Sequence, residues 1–501
     1  MDLQNISEET IGSVKKALST TGWTSGLGVV GYDLGPVVSL LPKFTPLRDQ
    51  LPRVNSSEGA KFTVWRTLLN VLNSQPSIFP GYDTAGNMVV VDEVDSFSNY
   101  VPIELKGMIT QDSIDIAKGY ADAHALMVAQ VLTNLLNLED RALGCGAQNY
   151  ALPAIGTVVV SAGTATNGIS GKTTGGSIGS AASVNVKCQP ISGWNYYNGG
   201  SGPSSANATA TSGSTSSTNA VGAFVPAVKG AVGYHWFVGS SSSNQVYFTT
   251  TTTNTVLITS VPSTAQALPT YEVPDLYPVV PTLTTVDTSY STLVFNSMLA
   301  TILGDYGPSG VVTPGQGTSS AATWLSADGA TLSVNGSSVA LFDQLNLSIY
   351  NAIKQSPTAF MMNAQQASDL GGGMLASPAA SLYLQTNGDG RSNIFASGFI
   401  GTYLNKALSG APIRIEVHPS VPPGTVIART DVLTNVPGSD VGNVFEVRTH
   451  RDYAEFPYAA TDSPASGPSG PREIWGIRSL ETLVNRAPLS CGVISNIAAS
   501  E

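Results

Sequence analysis

Ser183-Val-Asn-Val-Lys-Cys188 and Gly233-Tyr-His-Trp-Phe-Val238 are short β-type runs in a window, residues 151–270, that contains no Asp, Glu or Arg. Two more runs follow at 245–250 and 255–258, and the rest of the window is dense in Ser, Thr, Gly and Asn. Short strands joined by polar connections are typical of a β-sandwich. More highly charged, helical sequence lies on both sides, which predicts an all-β sandwich inserted into a loop of a host fold.

The composition limits the classes of function. The 501 residues carry 23 basic and 34 acidic side chains, a formal net charge of −11. That balance opposes nucleic-acid binding by bulk electrostatics, because phosphate neutralisation needs clustered Lys and Arg. The cysteines Cys145, Cys188 and Cys491 give neither a metal-binding spacing nor an even disulfide framework, so reduced thiols are expected. We expect no cofactor and no metal.

The first 36 residues predict a short helix capped by Ser7 and then a glycine-rich arm. Gly26-Leu-Gly-Val-Val-Gly31 matches the dinucleotide-binding string, but Gly35 and Pro36 follow and cannot open the helix that would hold a pyrophosphate. Glu8 and Glu9 stand where a signal peptide would have a basic region, so synthesis in the cytoplasm without membrane insertion is expected.

A proline-pinned stretch, Thr45-Pro-Leu-Arg48-Asp-Gln-Leu-Pro52-Arg53-Val54, is predicted to be extended and to lead into a long hairpin. One arm of the hairpin covers residues 61–70, and the other returns from Met88 through Tyr100 to Leu105. Turn-forming residues occupy the tip at about 74–87. A hairpin of this length has little surface of its own to bury, so we expect it to lean on another subunit, the alternative being a hairpin folded back on its own domain.

A single long helix is predicted over residues 112–143, closed by Gly144 as a left-handed cap. Apolar residues recur on one face at spacings of three and four, and a rod of this length would span roughly 45 Å. His124 lies beside that stripe without a second metal ligand one turn away, so a structural role is expected. The stripe residues are Ala121, Ala125, Val128, Leu132 and Leu135.

Helix and strand alternate after the window. A helix is predicted near 292–303, an amphipathic helix at 338–354, a buried strand at 359–363, and a short helix at 364–370 that ends at Gly371. Strands are predicted at 412–417, 424–428, 444–448 and 473–478, with a mobile loop at 462–471. The pattern favours a compact α+β host domain.

This order of elements resembles the major capsid proteins of tailed bacteriophages with the Hong Kong 97 type fold. The resemblance extends to the closing sequences around Arg448-Thr-His-Arg-Asp-Tyr453, Trp475-Gly-Ile-Arg478 and Ala487-Pro-Leu-Ser-Cys491. The window is similar to an immunoglobulin-like or fibronectin type III module. The expected fold class is therefore α+β, with an N-terminal arm (1–55), an extended loop hairpin (56–108), a peripheral domain with a spine helix (109–150), the inserted sandwich (151–265), an axial domain (266–440) and closing strands of the peripheral domain (441–501).

The resemblance implies self-assembly rather than catalysis. Copies of the chain would form pentamers and hexamers of an icosahedral virion shell, assembled in the host cytoplasm, that encloses double-stranded DNA without binding it specifically. Portal, protease and decoration proteins are further candidate partners, and no membrane is expected. The sandwich would project outward on short linkers cleavable near 146–153 or 262–269, with Trp194, Tyr196 and Tyr197 either exposed or filling its own core. Seven residues are candidates for subunit contact: Arg48, Arg53, Lys61, Trp65, Arg66, Tyr82 and Asp83.

Three other functions compete with a phage shell. A bacterial encapsulin-like nanocompartment would share the fold but is expected to lack a sandwich insert. A surface adhesin with an immunoglobulin-like module would need a signal peptide. An enzyme would need a nucleophile with a base, and none of the four His residues lies in a Gly-x-Ser-x-Gly or His-Glu-x-x-His setting.

Overall fold

The computed structural model describes most of the chain. The described residues are 43–56, 61–70, 82, 92–117, 122–162, 172, 174–213, 217–266, 280–306, 312–313, 322–332, 334–335, 338–376, 401–406, 410–433, 442–458 and 472–499. The predicted helix after Ser7, the glycine-rich arm, nearly all of the hairpin tip and the predicted loop at 462–471 lie outside these residues. Helices and strands are mixed throughout, which confirms the α+β class.

The proline-pinned stretch is not extended as predicted. It forms a short helix, α1 (Pro46–Gln50), followed by strand β1 (Arg53–Asn55). Pro46 favours the first helical turn because its φ is already fixed near the helical value and it has no amide hydrogen to satisfy. The amides of Leu47 and Arg48 donate to one carboxylate oxygen of Asp140, so a distant residue caps this helix. Such a cap cannot be read from local sequence.

The hairpin forms from β2 (Phe62–Asn70) and β3 (Asp92–Asn99), which pair antiparallel from Phe62↔Asn99 to Asn70↔Asp92. The returning arm does not stay in this hairpin to Leu105 as predicted. After Tyr100 the chain enters β4 (Val101–Thr110), whose partner is a strand near the other end of the sequence. The hairpin is therefore shorter than expected and is joined directly to a second sheet.

The predicted single long helix is two helices, α2 (Gln111–Ala117) and α3 (Ala123–Arg141). Asp122 has an extended backbone and its side chain accepts the amide of Ala125, so α3 has its own N-terminal cap. At its other end α3 passes into a π-helical turn (Ala142–Gly146) rather than ending at a left-handed Gly144. At 1.5 Å per residue α3 is about 28 Å long, well short of the predicted rod.

The window folds into two β-sheets with a core of their own. The elements are β5 (Val159–Ser161), β6 (Ser183–Ser192), helix α4 (Gly193–Asn198), β7 (Ala208–Thr211), β8 (Val221–Phe224), β9 (Ala231–Gly239), β10 (Gln245–Thr251) and β11 (Thr255–Ile258). Strand order is β10-β9-β6-β7 in one sheet and β11-β8-β5 in the other. Val186, Trp236 and Ile258 are among the side chains buried between the two sheets.

The four-stranded sheet of this sandwich is buried on both faces along β9, where all nine residues are buried. Tyr234 and Trp236 point into the sandwich core. His235 and Phe237, on the opposite face because side chains alternate along a strand, each lie 6.1 Å from the ring of Tyr247. A sandwich standing alone would leave this second face in water, so other parts of the chain must cover it.

The host core is a six-stranded sheet packed with helices. The helix predicted near 292–303 is confirmed as α5 (Met298–Leu303), and the one at 338–354 as α6 (Ala340–Ile353), whose predicted stripe is buried. Next come β17 (Ala359–Met362) and α7 (Ala364–Ala376), which continues past Gly371 instead of ending there. Remaining strands are β12 (Asp305–Tyr306), β13 (Val312–Thr313), β14 (Thr323–Ser326), β15 (Val334–Asn335), β16 (Ser338–Val339), β18 (Thr402–Asn405), β19 (Ala411–Val417) and β20 (Val426–Arg429).

The last segments divide between two sheets. β21 (Phe445–Tyr458) and β22 (Arg472–Asn485) form an outer sheet of order β1-β21-β22-β4. After a 3₁₀ turn (Pro488–Ser490), β23 (Gly492–Ser495) instead enters the six-stranded sheet between β14 and β20. Within residues 441–501, β21 and β22 therefore lie in the outer sheet and β23 in the six-stranded sheet, whose order is β14-β23-β20-β17-β19-β18. The assignment of these residues to a peripheral domain stays a prediction.

Candidate functional site: a buried charge cluster and a two-faced hairpin

Two adjacent acids, Glu139 and Asp140, are buried at the C-terminal end of α3, with side-chain exposures of 0% and 1%. Glu139 accepts hydrogen bonds on both carboxylate oxygens. Arg48 Nε lies 3.0 Å from Oε2, and Arg53 Nη1 lies 2.5 Å from Oε1. Two guanidinium groups thus compensate one buried carboxylate, the arrangement that a charge removed from water requires.

Arg53 links this carboxylate to a second one. Its other terminal nitrogen donates to Glu481 on β22, whose side chain is also fully buried. Burial, followed by the nearby negative charge of Glu139, raises the pKa of Glu481 to about 8, although Arg53 acts in the opposite direction. Glu481 therefore holds a proton more readily than an exposed glutamate does.

Tyr453 on β21 completes the cluster. Its hydroxyl donates to Glu139, and the guanidinium carbons of Arg48 and Arg53 lie 5.5 and 5.4 Å from its ring centre. Cations over an aromatic face are attracted by its negative quadrupole. Burial, together with Glu139, raises the pKa of the Tyr453 hydroxyl, which stays a neutral hydrogen-bond donor. We call these five residues, Arg48, Arg53, Glu139, Tyr453 and Glu481, the charge cluster.

Asp140 serves a different set of partners. One oxygen accepts the amides of Leu47 and Arg48, at 3.0 and 2.8 Å, and the other lies 3.0 Å from His418 Nε2. His418 Nδ1 accepts the amide of Ser420, so Nε2 is the ring nitrogen that faces Asp140, within ion-pair distance but not aligned as a hydrogen bond. The charge cluster holds residues 45–55 against α3 and the outer sheet. Asp140 contacts both α1 and His418, in the loop before β20.

Nothing in this arrangement provides a nucleophile with a base. Burial raises the pKa of the thiols of Cys145 and Cys188, and that of Cys491 to about 11, so all three stay protonated and unreactive. Among the described residues, no three His, Cys, Asp or Glu side chains form a group that could hold a metal ion. The cluster positions chain segments and carries no recognisable catalytic chemistry.

The hairpin has one face fixed against its own subunit. Trp65 is buried and its indole nitrogen donates to the backbone oxygen of Asn485. Thr63 accepts a hydrogen bond from Arg448 on β21, and Ser98 pairs with Thr482 on β22. The alternation of a β-strand sends every second side chain of β2 toward this contact.

The other face of the hairpin is apolar and open to solvent. Phe62, Val64 and Phe97 are 50%, 51% and 43% exposed. Val64 stands directly across from Phe97 in the strand register, and the rings of Phe62 and Phe97 meet edge to face at 6.4 Å. Beside them Arg66 and Asp95 form an exposed ion pair at 3.5 Å. We call Phe62, Val64 and Phe97 the hairpin patch.

Six of the seven predicted contact residues are described, and they fall into two groups. Arg48, Arg53 and Trp65 are engaged inside the subunit, so the sequence located an important region but the structure gives these three an intrachain role. Lys61, Arg66 and Tyr82 are exposed, and their contact with another subunit stays a prediction. Asp83 lies outside the described residues. His124 lies on an aromatic ring, 5.3 Å from Trp475, with Nε2 3.0 Å from Glu455, in keeping with its expected structural role.

Sequence reasoning missed Glu139, Tyr453 and Glu481. One signal was available: Glu139 follows Leu135 by four residues, so the apolar stripe of α3 continues onto a carboxylate. A buried acid needs a cationic partner, which points to the arginines of the proline-pinned stretch. Tyr453 and Glu481 gave no such signal, since their alternating strands place polar residues on both faces.

No protein-family model and no curated protein matches the sequence. Solved structures that match include the capsid of cyanophage A-1(L), at 9% identity over 94% of this chain and 97% of that one, TM-score 0.43. The capsid of a native GTA particle matches at 8% identity over 97% and 98%, TM-score 0.34. The holo-SrpI encapsulin complex of Synechococcus elongatus matches at 8% over 98% and 96%, TM-score 0.33.

Proposed function

We propose that this chain is a shell-forming capsid subunit of the tailed-phage type. Copies assemble into pentamers and hexamers of a closed icosahedral virion shell that encloses double-stranded DNA, and they do so in the host cytoplasm. The observation that carries the proposal is the two-faced hairpin. One face is fastened to its own outer sheet, while the hairpin patch presents three adjoining apolar side chains to solvent.

The hairpin patch suits a contact that is repeated by symmetry. Three side chains bury too little area for a strong pairwise interface, since stable specific interfaces bury on the order of 1,200–2,000 Å². In a closed shell the same weak contact recurs in every subunit, and closure leaves no free edge. A second copy of this chain is therefore the proposed occupant of the patch.

The charge distribution suits a container wall. Arg48 and Arg53 are paired with Glu139 and Glu481, so they are not available to bind phosphate. With a net charge of −11, the chain would enclose DNA without holding it at specific sites. We assign it no enzymatic activity. Among the described residues, no helix is long and apolar enough to cross a membrane.

The individual elements receive roles on the same proposal. The hairpin is the extended loop, α3 is the spine helix, the six-stranded sheet with α6 and α7 is the axial domain, and the outer sheet is the peripheral domain. The two-sheet insert is an immunoglobulin-like module. Portal, maturation protease and decoration proteins are the further partners that such a shell would meet.

Sedimentation velocity tests the proposal with matched variants. Val64→Asp places a charge in the hairpin patch, and Val159→Asp is the control, because Val159 is 40% exposed on a strand of the sandwich. The unaltered chain and the control should sediment as capsomers or shells far above the 51.8 kDa monomer. Val64→Asp should shift most of the material to smaller species. An unaltered chain that is monomeric at micromolar concentration across several ionic strengths would overturn the shell proposal, and equal behaviour of the two variants would overturn the role of the patch.

A further inference from the structure

Helix α4, between β6 and β7, leaves the sandwich and enters the host. Ser192 and Asn195 form a capping box, each side chain accepting the other's backbone amide, which starts the helix within one turn. Gly193 passes so close to the π-helical turn that a Cβ there would lie 2.0 Å from the Cys145 backbone oxygen. Only glycine allows this approach, and it brings the next turn of α4 against the end of α3.

Tyr197 is the residue of α4 that reaches furthest into the host. It is buried with Cys145 and Leu143 in the main hydrophobic core. The sequence had suggested a position either on the surface or in the core of the sandwich. Arg141 lies over its ring at 4.8 Å. The Tyr197 hydroxyl donates to the backbone oxygen of Ser420 at 2.7 Å.

A series of polar contacts leads from that hydroxyl to α1. Ser420, which receives the bond from Tyr197, donates its own amide to His418 Nδ1 at 3.1 Å. His418 Nε2 lies within ion-pair distance of Asp140, at 3.0 Å, although the two groups are not aligned as a hydrogen bond. Asp140 in turn accepts the amide of Leu47 in α1. All five residues are buried, so water does not compete for these contacts.

We propose that Tyr197 is a positioning residue, through which the sandwich holds α1 in place. The Tyr197 bond fixes the backbone of Ser420; the Ser420 amide fixes the His418 ring; and the ring orients the Asp140 carboxylate that caps α1. Since α1 leads directly to Arg53, the same contacts set the position from which Arg53 reaches Glu139 and Glu481. The inference concerns folding within one subunit and is independent of the proposed shell function.

Other contacts show that the sandwich is built into the host. The chain that returns from it lies against it, with Gln189 donating to the backbone oxygen of Thr284 and Ser192 to that of Ser289. Residues 146–148, 150 and 152, near the expected protease site, are buried. Buried backbone resists cleavage. Burial at this first junction therefore disfavours the cleavage expected there.

Hydrogen exchange at α1 tests the proposal. The amides of Leu47 and Arg48 are protected by Asp140, so their exchange reports how firmly that carboxylate is held. Tyr197→Phe removes only the hydroxyl, and we expect it to speed exchange of these two amides by about tenfold or more. Hydrogen exchange of the full-length protein, read by mass spectrometry with residue-level fragmentation, measures the rates at Leu47 and Arg48. These two amides lie about 150 positions from Tyr197 in sequence.

A matched control separates positioning from general destabilisation. Tyr234→Phe also deletes one buried tyrosine hydroxyl of the sandwich, the one that accepts the amide of Val228, but it lies outside the proposed contacts. It should leave exchange at Leu47 and Arg48 unchanged. Unchanged exchange in Tyr197→Phe, or equal acceleration in both variants, would overturn the proposal.

A double-mutant comparison provides a second readout. His418→Asn interrupts the same series of contacts further along. If the contacts act as one unit, combining it with Tyr197→Phe should speed exchange no more than the larger single variant does. Multiplicative effects of the two substitutions would show that they act independently and would contradict the proposed positioning role.

Discussion

In the sandwich the buried polar residues are neutral, as with Gln189, Asn195 and Asn254, whereas around the outer sheet they include the acids Glu139, Asp140 and Glu481. Each of these residues makes hydrogen bonds, but the two regions differ in how far apart in sequence the partners lie. Asn195 bonds to Ser192 within its own turn and to the returning chain at Thr288. Arg53 joins residues 86 and 428 positions away.

Neutral hydrogen bonds and buried ion pairs differ in the free energy that is lost when one partner is removed. A neutral hydrogen bond contributes about 0.5–1.5 kcal/mol and can be replaced locally. A buried ion pair gains little net stability, but removing one partner leaves a bare charge out of water and costs about 3–5 kcal/mol. The charge cluster therefore penalises any arrangement in which residues 45–55, α3 and the outer sheet do not meet, and the sandwich has no equivalent.

The largest expected effect is in the charge cluster. Glu139→Gln leaves Arg48 and Arg53 buried with too little negative charge, and we expect a loss of about 3–5 kcal/mol in the free energy of unfolding. Urea unfolding at fixed protein concentration measures it. The control is Asp95→Asn in the exposed pair with Arg66, which should cost less than about 1 kcal/mol. Similar losses in the two variants would remove the contrast between buried and exposed pairs.

In the sandwich the expected loss is smaller. Asn254 donates to the backbone oxygen of Val225 and to Asp328 of the host, at 2.9 and 3.0 Å. Asn254→Ala leaves both acceptors without this donor and should cost about 1–3 kcal/mol. The same urea titration checks it. A loss as large as that of Glu139→Gln would mean that neutral and charged buried groups are equivalent in this chain.

Rising pH should weaken the charge cluster. Because burial raises the pKa of Glu481 to about 8, from an ordinary value of 4.5, the folded chain keeps a proton that the unfolded chain has lost. Its stabilising contribution is complete below pH 4.5 and is lost as the pH rises to 8. Relative to Glu481→Gln, the unaltered chain should lose at least the equivalent of one pKa unit, about 1.4 kcal/mol, over this range. Parallel pH profiles would show that Glu481 is ionised in the folded chain.

Falling pH should weaken the sandwich. Burial lowers the pKa of His235 to about 4, from 6.5, so the folded chain holds a neutral imidazole against Thr250. This contribution is present above pH 6.5 and is lost as the pH falls to 4. His235→Gln should reduce the loss of unfolding free energy between pH 6.5 and 4 by about 1 kcal/mol. If the variant loses as much unfolding free energy between pH 6.5 and 4 as the unaltered chain does, His235 is not buried in its neutral form.

Local sequence pattern correctly predicted the helices and strands whose apolar residues recur with a regular spacing. The stripe of α6 and the apolar run of β17 indicate buried faces, and both are buried. Pattern could not predict the cap that Asp140 places on α1, the change of partner at Tyr100, or the entry of β23 into the six-stranded sheet. Each of these depends on contacts between residues far apart in sequence, where no spacing rule applies.

The candidate site divides in the same way. The sequence located the proline-pinned stretch and the hairpin, because prolines, arginines and alternating apolar residues are local signals. It assigned Arg48, Arg53 and Trp65 outward, since nothing local indicates that Glu139, Glu481 and the Asn485 backbone lie opposite them.

Electron microscopy of the purified, unaltered chain tests the central claim most directly. A subunit whose hairpin is fixed on one face and open on the other should form rings of five and six copies or closed shells, visible by negative stain. Such particles are the predicted result. A field of separate monomers at micromolar concentration, across low and high salt, would contradict the proposed shell function.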